Sequence, residues 1–526
     1  MRDYARLARI LNARDIADYI EEAEKKVKNA VEKGEDFEID PDFEKKVRDR
    51  LKEILSEKFD DKSLEVLKSL SIIDLPVNIE VAKKIYDLDS LKAFYDLGLI
   101  ENRNGYLIID PTLKDLVREN REDYHRKAIE YYENFDETIE IKTEKAYHYL
   151  MIKDYAKAFE YFISTANEIY GRHRCVEKLI FIGEKLVGKV EEMDRLLGTL
   201  GNLYMVLKKY REAEHYYKRV LEMYKKSGDE RILGVMLNLA NLYYVRGEYK
   251  KAEESLKECL SLSLDKNEEI TENALLILSS LYLDLNEFEK AESCLIDVLR
   301  IEHTKAKKEP ERLRSVASIV NNLGFVYSRS KNFEKAEKFY KEALRIYNEL
   351  NDVKGVVTAL NNLCSVYITT ENFEKAKETL KMIETISDIP PDLKAKYHFL
   401  KAKVLERERC EEALLHYAKA GALGFLVFRN FGMNAINYMH AFDKAEEVAR
   451  KLGKDEFAGD MFVIKSVIGK VYFGVRKEIG KVECGDRGYA LLRALKGENV
   501  DVKVNDEIDS AIFVILRDLR ERENLG

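Results

Sequence analysis

Tryptophan and glutamine are absent from this chain of 526 residues, and proline (6) and cysteine (6) are scarce. Proline breaks helix interiors and marks turns, so its scarcity leaves long stretches free to be helical. Cysteines 175, 259, 294, 364, 410 and 484 contain no Cys-x-x-Cys pair. That argues against metal knuckles and redox motifs and points to buried, reduced thiols. No run of 18 apolar residues occurs, so no spanning helix is expected. Residues 1–30 read as a charged amphipathic helix and not a signal peptide, which gives a cytoplasmic expectation. Absent Gln with abundant Glu and Lys fits a thermophile, although plentiful Asn runs against it. The net charge of −8 argues mildly against nucleic acid or an anionic membrane as partner.

Catalytic signatures are missing too. Gly-Lys occurs at 188–189, 453–454, 469–470 and 480–481, never followed by Ser or Thr, so no phosphate loop is present. Gly-x-Gly-x-x-Gly, Gly-x-Ser-x-Gly and His-Glu-x-x-His do not occur. The eight histidines (125, 148, 173, 215, 303, 398, 416 and 440) show no pair at helical ligand spacing and read as surface or core residues. No enzyme activity, cofactor or metal is expected.

What the chain does have is a recurring phrase: an aromatic, two residues, Ala, then an amphipathic stretch. Alanines 158, 213, 252, 291, 336, 376, 413 and 445 each close one copy, with Cys410 in the aromatic's place before Ala413. The fullest copies are Leu200-Gly201-Asn202-Leu203-Tyr204 with Tyr210, and Leu323-Gly324-Phe325-Val326-Tyr327 with Phe333. Small residues let two helices cross closely, and large ones at helical spacing seal the next hairpin, so an array of helical hairpins is expected. The spacings of 55, 39, 39, 45, 40, 37 and 32 residues between those alanines imply long helices or connections.

This order of residues resembles the tetratricopeptide repeat. The clear copies cover about 190–385, and weaker ones around Ala158, Ala413 and Ala445 suit the ends of a stack. Upstream, residues 64–70, 79–86 and 89–97 read as three short helices. A hairpin turning on Asn104-Gly105 follows, between 98–101 and 106–109. The run from Leu91 to Ile100, with Tyr106 and Asp110-Pro111 to Arg118, resembles the winged-helix domain of STAND-type signalling ATPases. In that family the module joins a nucleotide-binding domain to a repeat sensor, and here the nucleotide-binding half is missing. The expected organisation is an N-terminal helical segment (1–61), a winged-helix domain (62–120), about eight repeats (121–455) and a capping region (456–526). The expected fold class is all-α: a right-handed superhelical solenoid behind a winged helix with a small β-hairpin wing, closed by a helical cap.

Smaller expectations accompany this outline. Residues 4–33 read as one helix stopped by Gly34, and an acidic link covers 35–40. Asp40 then caps a second helix with Pro41 in its first turn. In the tail, 461–476, 489–495 and 508–519 read as helices and 500–504 as a strand.

The resemblance places repeat positions five, six, nine and twelve on or near the inner surface of the superhelix. With Leu200, Leu239, Leu323 and Leu363 at position seven, Asn202 and Asn241 fall at nine and Asn238, Asn322 and Asn362 at six. Asn321 and Asn361 fall at five. Asn both donates and accepts, so such a ladder can pair with an extended backbone, with Tyr244 as a flat apolar wall. The same residues could instead stitch one helix to the next. Gly198 and Leu237 stand where a carboxylate clamp needs Lys. The sequence therefore points to a non-catalytic interaction scaffold taking a protein or peptide ligand, with an ATPase partner possible. The alternatives are a DNA-binding regulator with a peptide sensor and the sensor subunit of a STAND-type switch. The third helix of the winged-helix region carries one Lys and two Asp, which makes nucleic acid an improbable partner.

Overall fold

The structure is a computed structural model. It describes residues 2–33, 42–169, 175–264, 266–408, 410–431, 437–473, 484–494 and 506–523. They are mostly helical and divide into two compact units, one formed by residues up to 216 and the other from 217 onward. The expected link 35–40 and strand 500–504 lie outside the described residues.

The first unit opens with α1 (Arg2–Ile10), α2 (Arg14–Lys33), α3 (Phe43–Lys58) and α4 (Asp61–Ser71). Then come β1 (Val77–Asn78), α5 (Ile79–Ile85), α6 (Leu88–Asp96), β2 (Ile100–Arg103) and β3 (Tyr106–Ile109). It continues through α7 (Pro111–Val117), α8 (Glu122–Tyr132), α9 (Ile139–Met151), α10 (Tyr155–Glu168), α11 (Val176–Leu186) and α12 (Met193–Val206). Side chains begin most of these short helices: Asn78 accepts from the Glu80 and Val81 amides, Asp87 from Ser90, and Asp110 from Thr112 and Leu113. The hairpin turns on Asn104 and Gly105, both at positive φ, as a two-residue turn of that type requires. Sequence reasoning missed β1, which pairs antiparallel with β3 and completes a sheet of order β1-β3-β2. One hydrophobic cluster runs from Tyr4 to Tyr132, taking in Leu7, Leu51, Leu67, Phe94, Leu113 and Tyr124.

One expectation fails here. The single helix over 4–33 is broken at 11–13, because Asn12 takes a left-handed conformation (φ 57) and the Ala13 amide closes back on the Ala8 carbonyl at 2.7 Å. Asn tolerates that region better than most residues, so it ends a helix that apolar spacing alone would continue. Helix α3 begins at Phe43, with Asp42 at its cap and no side-chain cap bond; Asp40 and Pro41 are outside the described residues.

Helix α13 (Tyr210–Ser227) carries the boundary between units. The second unit continues with α14 (Ile232–Val245), α15 (Tyr249–Ser263), α16 (Glu268–Asp284), α17 (Phe288–Ala306), α18 (Leu313–Arg329) and α19 (Phe333–Glu349). Next are α20 (Val353–Thr369), α21 (Phe373–Glu384), α22 (Pro391–Arg407), α23 (Glu412–Phe431) and α24 (Tyr438–Lys451). The tail supplies α25 (Asp455–Phe473), α26 (Asp486–Ala494) and α27 (Glu507–Glu523). Each helix from α14 to α25 packs on the next, and α14 on α16, α18 on α20 and α20 on α22 also touch, as hairpins stacked in chain order must.

All eight repeat alanines are fully buried. At the tight crossings even one added methyl group meets an obstacle: a Cβ on Gly324 would lie 2.7 Å from the Tyr340 ring. The hairpin turns are uniform. One residue in the left-handed region (Lys153, Lys208, Gly247, Asn286, Lys331 or Glu371) precedes by two the aromatic that opens the second helix. The following amide returns to the tyrosine carbonyl five residues back, for example Asn332 N–H to Tyr327 O at 2.8 Å. The irregular spacings have causes. The 55-residue step contains the extra helix α11, and the 45-residue step contains the 19-residue α17 and a 3-10 turn at Pro310–Arg312.

In the tail, α27 packs on α23 and α26, and Glu507 bonds the Lys394 ammonium at 2.8 Å. From 484 the described chain resumes. Cys484 is buried, and Arg487 pairs with Asp506 and Asp509 at 2.8 Å each. Asp460 accepts from the Gly488 amide at 2.7 Å.

Candidate functional site on the first helices of the repeats

In the hairpins closed by Ala158 to Ala376 the first helix carries a tyrosine near its end, and in the central copies one set of contacts holds it. The Tyr282 hydroxyl donates to Glu253 at 3.0 Å, Tyr367 donates to Glu337 at 2.9 Å, and Tyr327 donates to Glu292. Each of these glutamates directly follows the repeat alanine of the preceding hairpin, at 252, 336 and 291. The lysine before an alanine covers the ring of its own hairpin: Lys290 over Tyr282 at 5.2 Å, Lys335 over Tyr327 at 4.7 Å and Lys375 over Tyr367 at 5.3 Å. Lys-Ala-Glu is thus a tie between hairpins. Burial, then the glutamate, pushes the Tyr327 hydroxyl up to about 12. The tie stops there: after Ala376 stands Lys377 in place of Glu, Val404 stands where the next tyrosine would be, and Tyr397, earlier on α22, donates to Glu384 at 2.8 Å.

With the tyrosines held, the asparagines differ sharply from one another. Asn362 on α20 donates to Asn321 of α18 at 2.9 Å and accepts from the Lys396 ammonium of α22 at 2.7 Å. Burial holds that ammonium below the usual lysine range. Asn361, fully buried, donates to the Leu393 carbonyl at 3.2 Å. These three residues join first helices to one another. Asn238 and Asn241, three apart on α14, are half-buried, and Asn322 on α18 is exposed. Among the described residues none of these last three has a protein hydrogen-bond partner.

The Tyr244 hydroxyl donates to Asp284 at 2.9 Å, and burial followed by that carboxylate pushes it up to about 12. Its ring is therefore fixed. Asn202 is exposed on α12, in the other unit. A residue that the site prediction missed is Phe325, 42% exposed, three positions from Asn322 on the same helical face. It occupies position nine, where Asn241 stands on α14, so the register itself marked it.

Elsewhere the cysteines are as expected. All six are free and five are buried, and burial raises the Cys259 and Cys294 thiols to about 11. The histidines hold a surprise, because two pairs form across neighbouring helices. His125 and His148 meet Nδ1 to Nδ1 at 2.6 Å, and His398 and His416 at 2.8 Å. No spacing rule within one helix could reveal partners on two. Among the described residues no cluster of three metal-ligating side chains occurs, and no helix is long and apolar enough to cross a membrane.

Comparison with known proteins bears on the repeats. Residues 192–264, 315–388 and 272–302 match models of the tetratricopeptide repeat, so the central hairpins are tetratricopeptide repeats. No curated protein matches the chain. Among solved structures it is similar to a STAND signal transduction ATPase with a tetratricopeptide repeat sensor from Pyrococcus horikoshii (15% identity, TM-score 0.37). That similarity covers 82% of this chain and 66% of the other, just under two thirds of its length. It is also similar to aspartyl phosphate phosphatase F from Bacillus subtilis (15% identity, TM-score 0.39, covering 68% and 91%). A third is a Rap protein complexed with competence and sporulation factor (15% identity, TM-score 0.35, covering 66% and 92%).

Proposed function

We propose that this chain is a non-catalytic interaction scaffold whose tetratricopeptide repeats hold an extended peptide or a segment of a partner protein. The observation that carries the reading is the division among the asparagines. Asn321, Asn361 and Asn362 use their amides inside the protein, whereas Asn238, Asn241 and Asn322 leave theirs open toward solvent. An open amide can give and take a hydrogen bond along an extended backbone of any sequence. Phe325, exposed beside Asn322, adds apolar contact area. Tetratricopeptide repeats as a class hold proteins and peptides, which agrees.

In the same reading, residues 62–120 are a winged-helix domain that docks protein, and an ATPase on another chain is a candidate partner. Helix α6, which would enter the major groove of DNA, turns Leu88 and Tyr95 outward, both 55% exposed. Base readout needs Arg, Lys, Asn or Gln there. Residues 456–526 then serve as the stack's cap, a role that the burial of Ile508, Ile512, Ile515 and Leu516 in one cluster with α23 and α25 supports.

The test presents the intact chain with an array of extended peptides and, separately, with labelled duplex DNA at physiological salt. Expected is micromolar peptide binding, about 8 kcal/mol, with weak and sequence-independent DNA binding. Nanomolar, sequence-selective, salt-sensitive DNA binding without peptide binding would overturn the reading in favour of a DNA-binding regulator.

A further inference from the structure

Charge is shared unevenly between the two helices of the hairpins in the second unit. Charged residues make up 35% of the whole chain. Helix α19, the second of its hairpin, exposes Glu334, Lys335, Lys338, Lys341, Glu342 and Arg345 along its length. The first helices α14, α16, α18 and α20 are the reverse. Helix α14 contains no charged residue, and in the other three every residue that reaches solvent between the first turn and the last residue is uncharged. Asn238 and Asn241 do so on α14, Asn273 and Ile277 on α16, Asn322 and Phe325 on α18, and Thr358 and Ser365 on α20. These helices are neighbours: α14, α16 and α18 share one hydrophobic cluster, and Asn362 of α20 bonds Asn321 of α18. Charges border the row. Arg314 in the first turn of α18 meets Asp352 at 2.8 Å, Asp284 at the end of α16 holds the Tyr244 hydroxyl, and Arg329 at the end of α18 lies over the Phe325 ring at 6.0 Å. Lys396 reaches the row from α22, where its ammonium is bonded to Asn362 at 2.7 Å. Burial holds that ammonium below the usual lysine range, so the surface disfavours even a resident charge.

A surface of amide, hydroxyl and apolar groups can pair with a backbone and cover apolar side chains. A charged side chain laid on it would lose water without gaining an ion pair. We propose, resting on the scaffold function above, that the segment held by this row is an uncharged stretch of a partner protein, extended across α14 to α20. Its backbone pairs with the open amides, and its small or apolar side chains cover Ile277 and Phe325.

Calorimetry tests this by titrating the intact protein with peptides of about ten residues, enough at ~3.4 Å each to cross four helices packed about 9 Å apart. Both peptide ends are capped to remove their charges. One set mixes Ser, Thr, Ala and Leu with a Phe, a second carries Asp at alternate positions, and a third carries Lys there. The uncharged set is expected to bind at least about tenfold tighter than either charged set, with an affinity that salt between about 0.05 and 0.5 M leaves unchanged. Asn322→Asp keeps the shape of the side chain and places a carboxylate in the row. It is expected to weaken the uncharged set about tenfold and to favour the Lys-bearing one, whereas Lys338→Glu on α19 changes nothing. Failure of all three sets to bind removes the scaffold reading and this inference with it. A charged set that binds as tightly as the uncharged one leaves peptide holding intact and overturns the inference alone, as does an Asn322→Asp variant with the parent's order of preference. A dimer in light scattering that Asn322→Asp splits would make a second copy of this chain the occupant and overturn it too.

Discussion

The central repeats and the junction of α8, α9 and α11 bury polar groups in opposite ways. In the repeats one arrangement recurs: tyrosine to glutamate of the preceding hairpin, with lysine over the ring. At the junction nothing recurs. Lys178 reaches Glu144 at 2.6 Å and Asp74 at 2.8 Å, Arg118 reaches Asp74 at 3.2 Å, and Lys114 bonds the Ile73 carbonyl. Beside them lies the His125–His148 pair. A repeated network has spare partners close by, since Glu337 also meets Lys341 and Lys375. The singular network has fewer, Lys178 having only Glu144 and Asp74, and its groups stay buried when one is removed. The same kind of chemistry should therefore carry very different weight in the two places.

The largest expected effect tests that difference. Glu144→Ala leaves Lys178 mostly buried with Asp74 as its remaining carboxylate and should cost about 3–5 kcal/mol, as breaking other buried pairs does. Burial keeps the Glu144 carboxyl above its ordinary range even beside Lys178, so the pair is costly to build and costlier to break. Chemical denaturation of the intact protein reads the loss, and a change below about 0.5 kcal/mol, typical of a surface site, would erase the contrast.

Next in size is a response to acid that both units share. Burial lowers His125 to about 4, His416 to about 4 and His398 to about 3. An unfolded histidine titrates near 6.5, so below that pH the unfolded chain takes up protons that the folded chain refuses. Stability should hold above about pH 7 and fall steadily as the pH drops toward 4, by about 3 kcal/mol for one group shifted from 6.5 to 4. Melting temperatures at half-unit pH steps measure this, and a flat profile between pH 7 and 5 would show that the pairs are not held neutral. Smaller again is Ala336→Leu, which overpacks a filled helix crossing and should cost about 1–3 kcal/mol by denaturation.

The repeats were legible because their constraints are local and recur. A buried alanine, an aromatic helix start and a terminal tyrosine each leave a mark at fixed spacing. The junction was not legible, since Asp74 and Lys178 lie 104 residues apart and only the fold brings them together. The same limit hid both histidine pairs and the sheet contact of Val77 with Leu107. Position nine is readable at Asn241 because a polar residue there implies solvent, and hidden at Phe325 because an aromatic within a repeat motif looks the same in sequence whether buried or exposed. Of the six anticipated groove residues, Asn362 and Tyr244 turn out to be engaged within the protein, Asn202 belongs to the other unit, and Asn238, Asn241 and Asn322 keep open amides.

The smallest expected effect comes from the repeated tie. Tyr367→Phe removes one hydrogen bond and leaves Glu337 to its two lysines, so a loss of about 0.5–1.5 kcal/mol, toward the low end, is expected by denaturation. A loss as large as that of Glu144→Ala would mean that the repeats have no redundancy.

The open amides are the heart of the functional reading, and one paired measurement tests them most directly. The double variant Asn241→Ala/Asn322→Ala is compared with its parent for peptide binding and for melting temperature. Expected is a loss of binding of about 1–2 kcal/mol for each amide, with melting unchanged, because neither side chain is bonded within the protein. Unchanged peptide binding with a melting temperature lowered as far as that of Ala336→Leu would contradict it and make these asparagines structural.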